Sequence, residues 1–314
     1  MPQPSPWDRY PGGDPFAAAR AALVARLAAS ITPAGPPTLD EIVAEIADLR
    51  PLPRVATKIL ALDEGHFSAH ELAIIIASDQ ALTAKLLRLA NSAYYGFARR
   101  IMTVRDAVVL LGFRAVRATT LASCVMQAVP RSPNLDYEAF WQFSAATGML
   151  AEVLARTEGM HQQDAFTAGM LHQLGVLALD QTRPGPLGEA LDRARTEDLT
   201  LHAAERQVLG FTDAELGGAL ALHWNFPADL VAALRDHAQP LSTLPDPHSL
   251  TAFVLRARLF VRAYGLPDGI TPHAEPAPPP LEWETPPLSV ALRQSGGMAK
   301  VMERVDAFLS ASLG

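Results

Sequence analysis

The stretch AGMLHQLGVLAL, residues 168–179, sets His172 and Gln173 side by side in an otherwise apolar run. An imidazole offers a neutral nitrogen to a transition metal, and an adjacent carboxylate would supply the charge that a divalent cation requires. Gln173 occupies the place of that carboxylate, and its amide oxygen is neutral. The pair is therefore expected on a helix apolar on nearly every side, as a buried polar network whose members both need hydrogen-bond partners. The other histidines, His161, His202, His223 and His248, are scattered without ligand spacing. Neither a G-x-S-x-G nucleophile turn nor a G-x-x-x-x-G-K-[ST] phosphate loop occurs. The single cysteine, Cys124, excludes an internal disulfide and a cysteine-rich zinc site, and in TTLASCVMQAV it reads as a small buried hydrophobe.

The elements that must hold such a pair all carry the helical period. TLDEIVAEIADL opens with Thr38 and Glu41 at capping-box spacing and places Ile42, Ile46 and Leu49 on one face. SAHELAIIIAS repeats the device with Ser68 and Glu71, and SDQALTAKLLRLANSAYYG can start at Ser78 or Asp79 and stop at Gly96. Thr103 and Gly112 bracket TVRDAVVLLG, and FRAVRATTLASCVMQAV runs on to Pro130. EAFWQFSAATGMLAEVLART and TLHAAERQVLG follow, then TDAELGGALALHW with its Thr212/Glu215 box and PADLVAALRDHA with Pro227 at its start. No alternating strand pattern lies between turn signals, so an all-α fold is expected. Trp141 and Trp224 read as core.

Two segments fall outside this body. Residues 1–37 form an N-terminal extension, Pro/Gly-rich and disordered to about residue 13, with one Ala-rich helix near 14–30. Residues 265–287 form a proline-rich linker, including PDGITPHAEPAPPPLEWETPP, before an amphipathic C-terminal helix at 288–314 that is expected to dock on the body.

Composition limits the function classes. The chain of 314 residues is 49% hydrophobic with net charge −7, which argues against a general nucleic-acid or anionic-membrane binder. Residues 51–120 carry nine basic and five acidic side chains, +4, leaving −11 for the remainder. The front of the chain is thus a basic lobe on an acidic protein. No apolar run reaches the roughly 20 residues of a membrane span, and MPQPSPWDRYPGGDP lacks the features of a signal peptide, so a cytoplasmic location is expected.

LPRVATKILAL, followed by the run Ser78-Asp79, Leu82, Leu86-Leu87, Ala90-Asn91-Ser92-Ala93, Tyr94-Tyr95-Gly96, Ile101, Ala107 and Leu110-Leu111-Gly112, resembles the HDOD family. These are the HD-related output domains of bacterial signalling proteins. The resemblance continues through FWQFSAATGMLA and AERQVLGFTDAELGGALALHWNFPADLVAALRDHAQP, covering about residues 38–264. It implies a two-lobed helical bundle: a front lobe at 38–130 and, at 131–264, a degenerate relative of the HD phosphohydrolase core. An HD hydrolase needs a His, a His-Asp pair and a distant Asp to hold metal, which acidifies bound water and polarises a phosphoryl oxygen.

Carried onto this chain, the first histidine position is Phe143, within Trp141-Gln142-Phe143-Ser144. The central pair is His172-Gln173. A further histidine position falls at Asp213, the His-His doublet reads Asp236-His237, and the distant aspartate falls at Arg258. Phenylalanine cannot ligate and a guanidinium repels a cation. The resemblance thus implies a dismantled centre with no catalytic residue, no metal and no cofactor, in which His237 is structural or at the surface.

What remains for function is the basic lobe and the old cleft. Asn91, Ser92 and Tyr94 in ANSAYYG, with Arg99, Arg100 and Arg114, are the candidate ligand- or partner-binding residues. The alternative for ANSAYYG is a helix end whose polar groups satisfy local carbonyls and whose tyrosines pack in the core. The leading expectation is a non-catalytic signal-transduction module that binds another signalling protein or an anionic nucleotide messenger. A residual metal-dependent phosphohydrolase is one alternative. The other is a nucleic-acid-binding regulator, suggested by Gly112, Phe113, Arg114 and Arg117 but lacking a convincing recognition helix.

Overall fold

A computed structural model describes residues 38–49, 54–60, 62, 69–127, 134–160, 162–270 and 286–313. The expectations for residues 1–37, for Ser68 and for His161 lie outside these residues. Every regular element among them is a helix, as the patterning predicts. After α1 (Leu39–Leu49), the front lobe holds α2 (Arg54–Leu60), α3 (Ala69–Ala77), α4 (Gln80–Ala90), α5 (Val104–Leu111) and α6 (Phe113–Gln127). Its core is built from Ile59, Leu72, Ile76, Leu86, Ala107 and Val116. The rear lobe is wrapped around the long α7 (Tyr137–Thr157), whose residues 143–151 are all buried. Around it run α8 (Gln162–Leu171), α9 (Leu174–Thr182), α10 (Pro184–Thr196), α11 (Leu201–Val208), α12 (Asp213–His223), α13 (Ala228–Arg235) and α14 (Leu250–Ala263).

The start signals act as read. Thr38 Oγ1 accepts from the Glu41 amide at 3.3 Å while Glu41 accepts from the Thr38 amide at 2.8 Å. Asp79 caps α4, Thr103 caps α5, and Thr212 with Glu215 closes a full capping box on α12. Gly112 ends α5 at φ 85°, a backbone conformation that favours glycine.

Four boundaries differ from the reading. First, α4 ends at Asn91, five residues before Gly96, because the Asn91 side chain takes over the termination. Its Nδ2 donates to Leu87 O and Ile101 O while its Oδ1 accepts from the Ile101 amide, stapling the following loop to the helix end. Second, α1 counts with the rear lobe: Ile42, Val43 and Ile46 join the core around α7, and Glu45 is ion-paired with Arg183. Third, the predicted linker is packed at its beginning. Ile270 and Asp268 are buried, and Gly269, φ 73°, accepts from the Asp136 amide at 2.9 Å so closely that a Cβ would lie 2.5 Å from Phe140 N.

Fourth, the C-terminal segment is two helices, α15 (Pro286–Gln294) and α16 (Gly297–Leu313), because Gly296 and Gly297 both take positive φ. They dock on α7 and α4, as expected for an amphipathic face with a local partner. Phe308 is fully buried, edge-on to Tyr94 and Phe166 at centroid distances of 5.5 and 5.4 Å. Arg304 lies 4.9 Å over the Tyr94 ring, and Lys85 Nζ donates to Ser312 O. Truncating Phe308 to alanine removes a fully enclosed ring from both lobes' junction. The expected loss is about 3–5 kcal/mol, read from urea unfolding.

Candidate functional site

The helix carrying His172 and Gln173 is broken at that pair. Helix α8 stops at Leu171 and α9 begins at Leu174, so the two residues form the turn between them rather than a helical face. His172 accounts for the break locally: its Nδ1 lies 2.6 Å from Gly169 O. A carbonyl only accepts, so Nδ1 carries the proton and Nε2 keeps its lone pair. That Nε2 is buried without a hydrogen-bond partner. Gln173 Oε1 accepts from Ser144 Oγ at 3.4 Å, which ties the turn to α7. Phe143, fully buried on the same helix, faces the His172 ring at 6.0 Å.

Three further segments converge on this turn. Gly175, in the first turn of α9, touches the first turn of α12 backbone to backbone. A Cβ there would stand 1.8 Å from Asp213 O and 2.8 Å from Gly217 N. This contact brings Asp213 beside Gln173, lining a polar cavity of about 140 Å³ shared with His202, His237, Arg258 and Arg262. His237 follows α13, and its Nδ1 lies 2.8 Å from Leu234 O, so this imidazole too presents an unprotonated Nε2. Its ring centroid is 5.2 Å from that of His172. His202 sits in the first turn of α11, with Nε2 2.7 Å from Asp213 Oδ1, while His237 Nε2 is 3.9 Å from Asp213 Oδ2.

The charges follow from this enclosure. Desolvation holds both imidazoles neutral, His172 well below its ordinary value and His237 down to about 4, and the Arg258 charge adds to both shifts. Burial opposes ionisation of Asp213, yet the charge and hydrogen bond of His202 outweigh it and hold the carboxyl below its usual range. Glu205, fully buried on α11, goes the other way: desolvation and then the Asp213 charge push it well above the carboxylate range. Its Oε2 accepts from the Asp213 amide at 2.9 Å. The two neighbouring carboxyls are thus shifted in opposite directions, Asp213 down and Glu205 up.

Sequence positions assigned to the old centre mostly meet here. Phe143, His172, Gln173, Asp213, His237 and Arg258 gather around the cavity and its wall. Asp236 does not: it turns outward to Arg235 and Gln239, at 2.7–3.0 Å. His237 is buried, not at the surface. His202, taken as scattered, and Glu205, passed over, both belong to the cluster. The signal for them was an acid on the apolar stripe of TLHAAERQVLG, where Leu201, Ala204 and Glu205 share the buried face. The candidate binding residues fare differently. Asn91 is the staple described above, Ser92 Oγ donates to Leu89 O at 2.7 Å, and Tyr94 is covered by Phe308 and Arg304. All three side chains make internal contacts, the arrangement expected of ANSAYYG as a helix end. Arg114 lies 3.6 Å from Asp164 and, with Arg117 at 3.8 Å, ties α6 to α8. Arg99 and Arg100 are exposed.

Residues 49–240 match the HDOD domain family. The chain belongs to it. A crystal structure of a candidate phosphohydrolase from Shewanella amazonensis SB2B is 25% identical and superposes with a TM-score of 0.63, covering 87% of this chain and 96% of the other. An HDOD domain protein from Geobacter sulfurreducens is 24% identical with a TM-score of 0.62, over 94% and 95% of the two chains, and shares the fold. A protein of Treponema pallidum (strain Nichols) is 27% identical over 243 residues. This HDOD chain spans about half of that relative, 46% of its length. No described helix is long and apolar enough to cross a membrane.

The dinuclear ligand set of an HD hydrolase does not fit this HDOD site. Phe143 has no donor atom, Gln173 no charge, and Arg258 brings a cation to the cavity. The site depends on Gly175 for its shape. Gly175→Ala forces α9 and α12 apart against backbone atoms that cannot swing away, and is expected to cost about 1–3 kcal/mol or more in urea unfolding. Gly185→Ala, with nothing within 4 Å of its Cβ, is the control and should stay within about 1 kcal/mol of the parent.

Proposed function

We propose that this HDOD domain is a cytoplasmic, non-catalytic signal-transduction output module that binds an acidic signalling protein through its front lobe. The observation that carries this reading is the surface of α5 and the turn before it. Met102, Val109 and Leu110 are 66%, 67% and 53% exposed, and the exposed Arg99, Arg100 and Arg105 accompany them in the same stretch. Exposed apolar side chains accompanied by a net positive charge, three arginines against the exposed Asp106, suit a protein interface, where the apolar residues hold and the charge steers. The rest of the chain is acidic, so the arrangement is specific to this lobe. The loss of the dinuclear ligand set supports the non-catalytic half.

Two outcomes are expected. With or without added divalent metal, the purified chain should turn over no phosphomonoester, phosphodiester or cyclic dinucleotide; turnover that survives repurification and scales with the protein defeats the non-catalytic reading. Second, the partner recovered by affinity purification from native cytosol should lose about tenfold or more in affinity for an Arg99→Glu/Arg100→Glu variant, most at low salt, with the melting temperature unchanged. Val109→Asp should weaken binding at every salt concentration. Normal binding by both variants removes the front lobe from the interface. Arg114 is left out of this test because its tie to Asp164 makes charge reversal a change to the fold.

A further inference from the structure

We propose that the cavity between the two lobes binds a small organic cation, an apolar body that ends in an ammonium group. This site is separate from the polar rear cavity and from the exposed face of α5, and it shares no lining residue with either.

The space follows from how the lobes meet. Arg114 and Arg117 on α6 reach Asp164 on α8 at 3.6 and 3.8 Å, and these ties span the junction. Beside them, the end of α2 and the middle of α6 face α13 and α14 across a cavity of about 570 Å³. Its walls include Leu121 from the front lobe with Leu230 and Phe253 from the rear, all three buried. Apolar walls that do not meet one another leave dispersion contacts for a bound apolar body to make. Small-molecule sites occupy about 300–1,000 Å³ and gather where packed units join, and this cavity satisfies both conditions. The rear cavity, at about 140 Å³, is too small.

The mouth decides the charge of the ligand. Asp164, Asp229 and Asp246 line the cavity, against one guanidinium, Arg117, and the imidazole of His248. Arg117 is directed to Asp164, and His248 is paired with a further carboxylate, Glu158. Asp229 and Asp246 are exposed at the rim, and neither has an ion pair among the described residues. Deeper in, the buried Thr167 gives its hydroxyl proton to Gln163 O at 2.8 Å, so what it has left for a ligand is acceptor capacity. A cleft with an excess of one charge sign on low-dielectric walls focuses its field and gathers counter-ions. An anion would meet two carboxylates at the entrance, and a neutral body would cover them without pairing them. An ammonium pairs them while its apolar body fills the space behind.

The test uses the full chain and two probes with one phenylbutyl body, phenylbutylamine and phenylbutyrate. Titrated calorimetrically at low salt, the amine should bind at one molecule per chain and raise the melting temperature, because it touches both lobes. The carboxylate probe should bind at least tenfold more weakly. Asp229→Asn with Asp246→Asn should remove that preference. Met160→Trp places an indole at the mouth from an exposed position, so the fold is spared, and it should weaken the amine at least tenfold. Leu222→Trp, exposed and away from the cavity, should bind as the parent does. The proposal is overturned if the amine does not bind, if the carboxylate probe binds as well, or if Met160→Trp leaves binding intact.

Discussion

The approach of α9 to α12 at Gly175 is the contact on which the rear lobe is organised. With no side chain at that position, the first turns of two helices meet at their backbones, and Asp213 is delivered to the turn that holds Gln173. The capping box of Thr212 and Glu215 fixes the direction in which α12 leaves, and Arg206 holds Glu215 through two bonds at 2.8 and 2.9 Å. Because Asp213 is fixed, its partners have fixed places too: His202 from α11, His237 from beyond α13, Glu205 beneath its amide. A second small-residue contact, Gly148 against Gly169, lets α8 lie close along α7 and sets the depth at which His172 is buried. Close helix packing at glycines is thus what brings these polar groups together in a core that is largely apolar.

The fold was legible because local signals and burial agree along most of the chain. Caps at Thr38, Asp79, Thr103 and Thr212 are chemistry of three or four residues, and the apolar period reports which face goes inward. The errors arose where a side chain replaces a backbone partner. Asn91 ends α4 by satisfying groups ten residues away, and His172 ends α8 by bonding its own preceding turn. Neither event has a periodic signature. The site was legible in half. Positions matched to a family pattern arrive around one cavity, since the fold that makes the pattern is preserved. His202 and Glu205 escaped because their meeting with Asp213 depends on how α11 and α12 are joined, which spacing alone does not report.

The two lobes divide the electrostatics. The front carries Arg99, Arg100 and Arg105 outward, where they are solvated and screened and do little for stability. The rear places carboxylates and imidazoles inward, where each charge must have a counterpart. Exposed arginines can therefore change without unfolding the protein, whereas a substitution at Asp213 or Glu205 alters the balance of the whole cluster. Surface change is thus tolerated more readily at the exposed arginines of the front lobe than among the buried polar groups of the rear.

The last helix imposes an order on synthesis. Helix α16 lies against α7 and α4, with Lys85 reaching Ser312 across more than two hundred residues of chain. Until residues 297–313 leave the ribosome, the apolar surface around Tyr94 and Phe166 has no cover, and helices made early must wait in water with that face open. This closure joins segments far apart in the chain, unlike the local contacts within each helix. A nascent HDOD chain of this kind stays exposed to chaperones, and to aggregation, until residues 297–313 have been made.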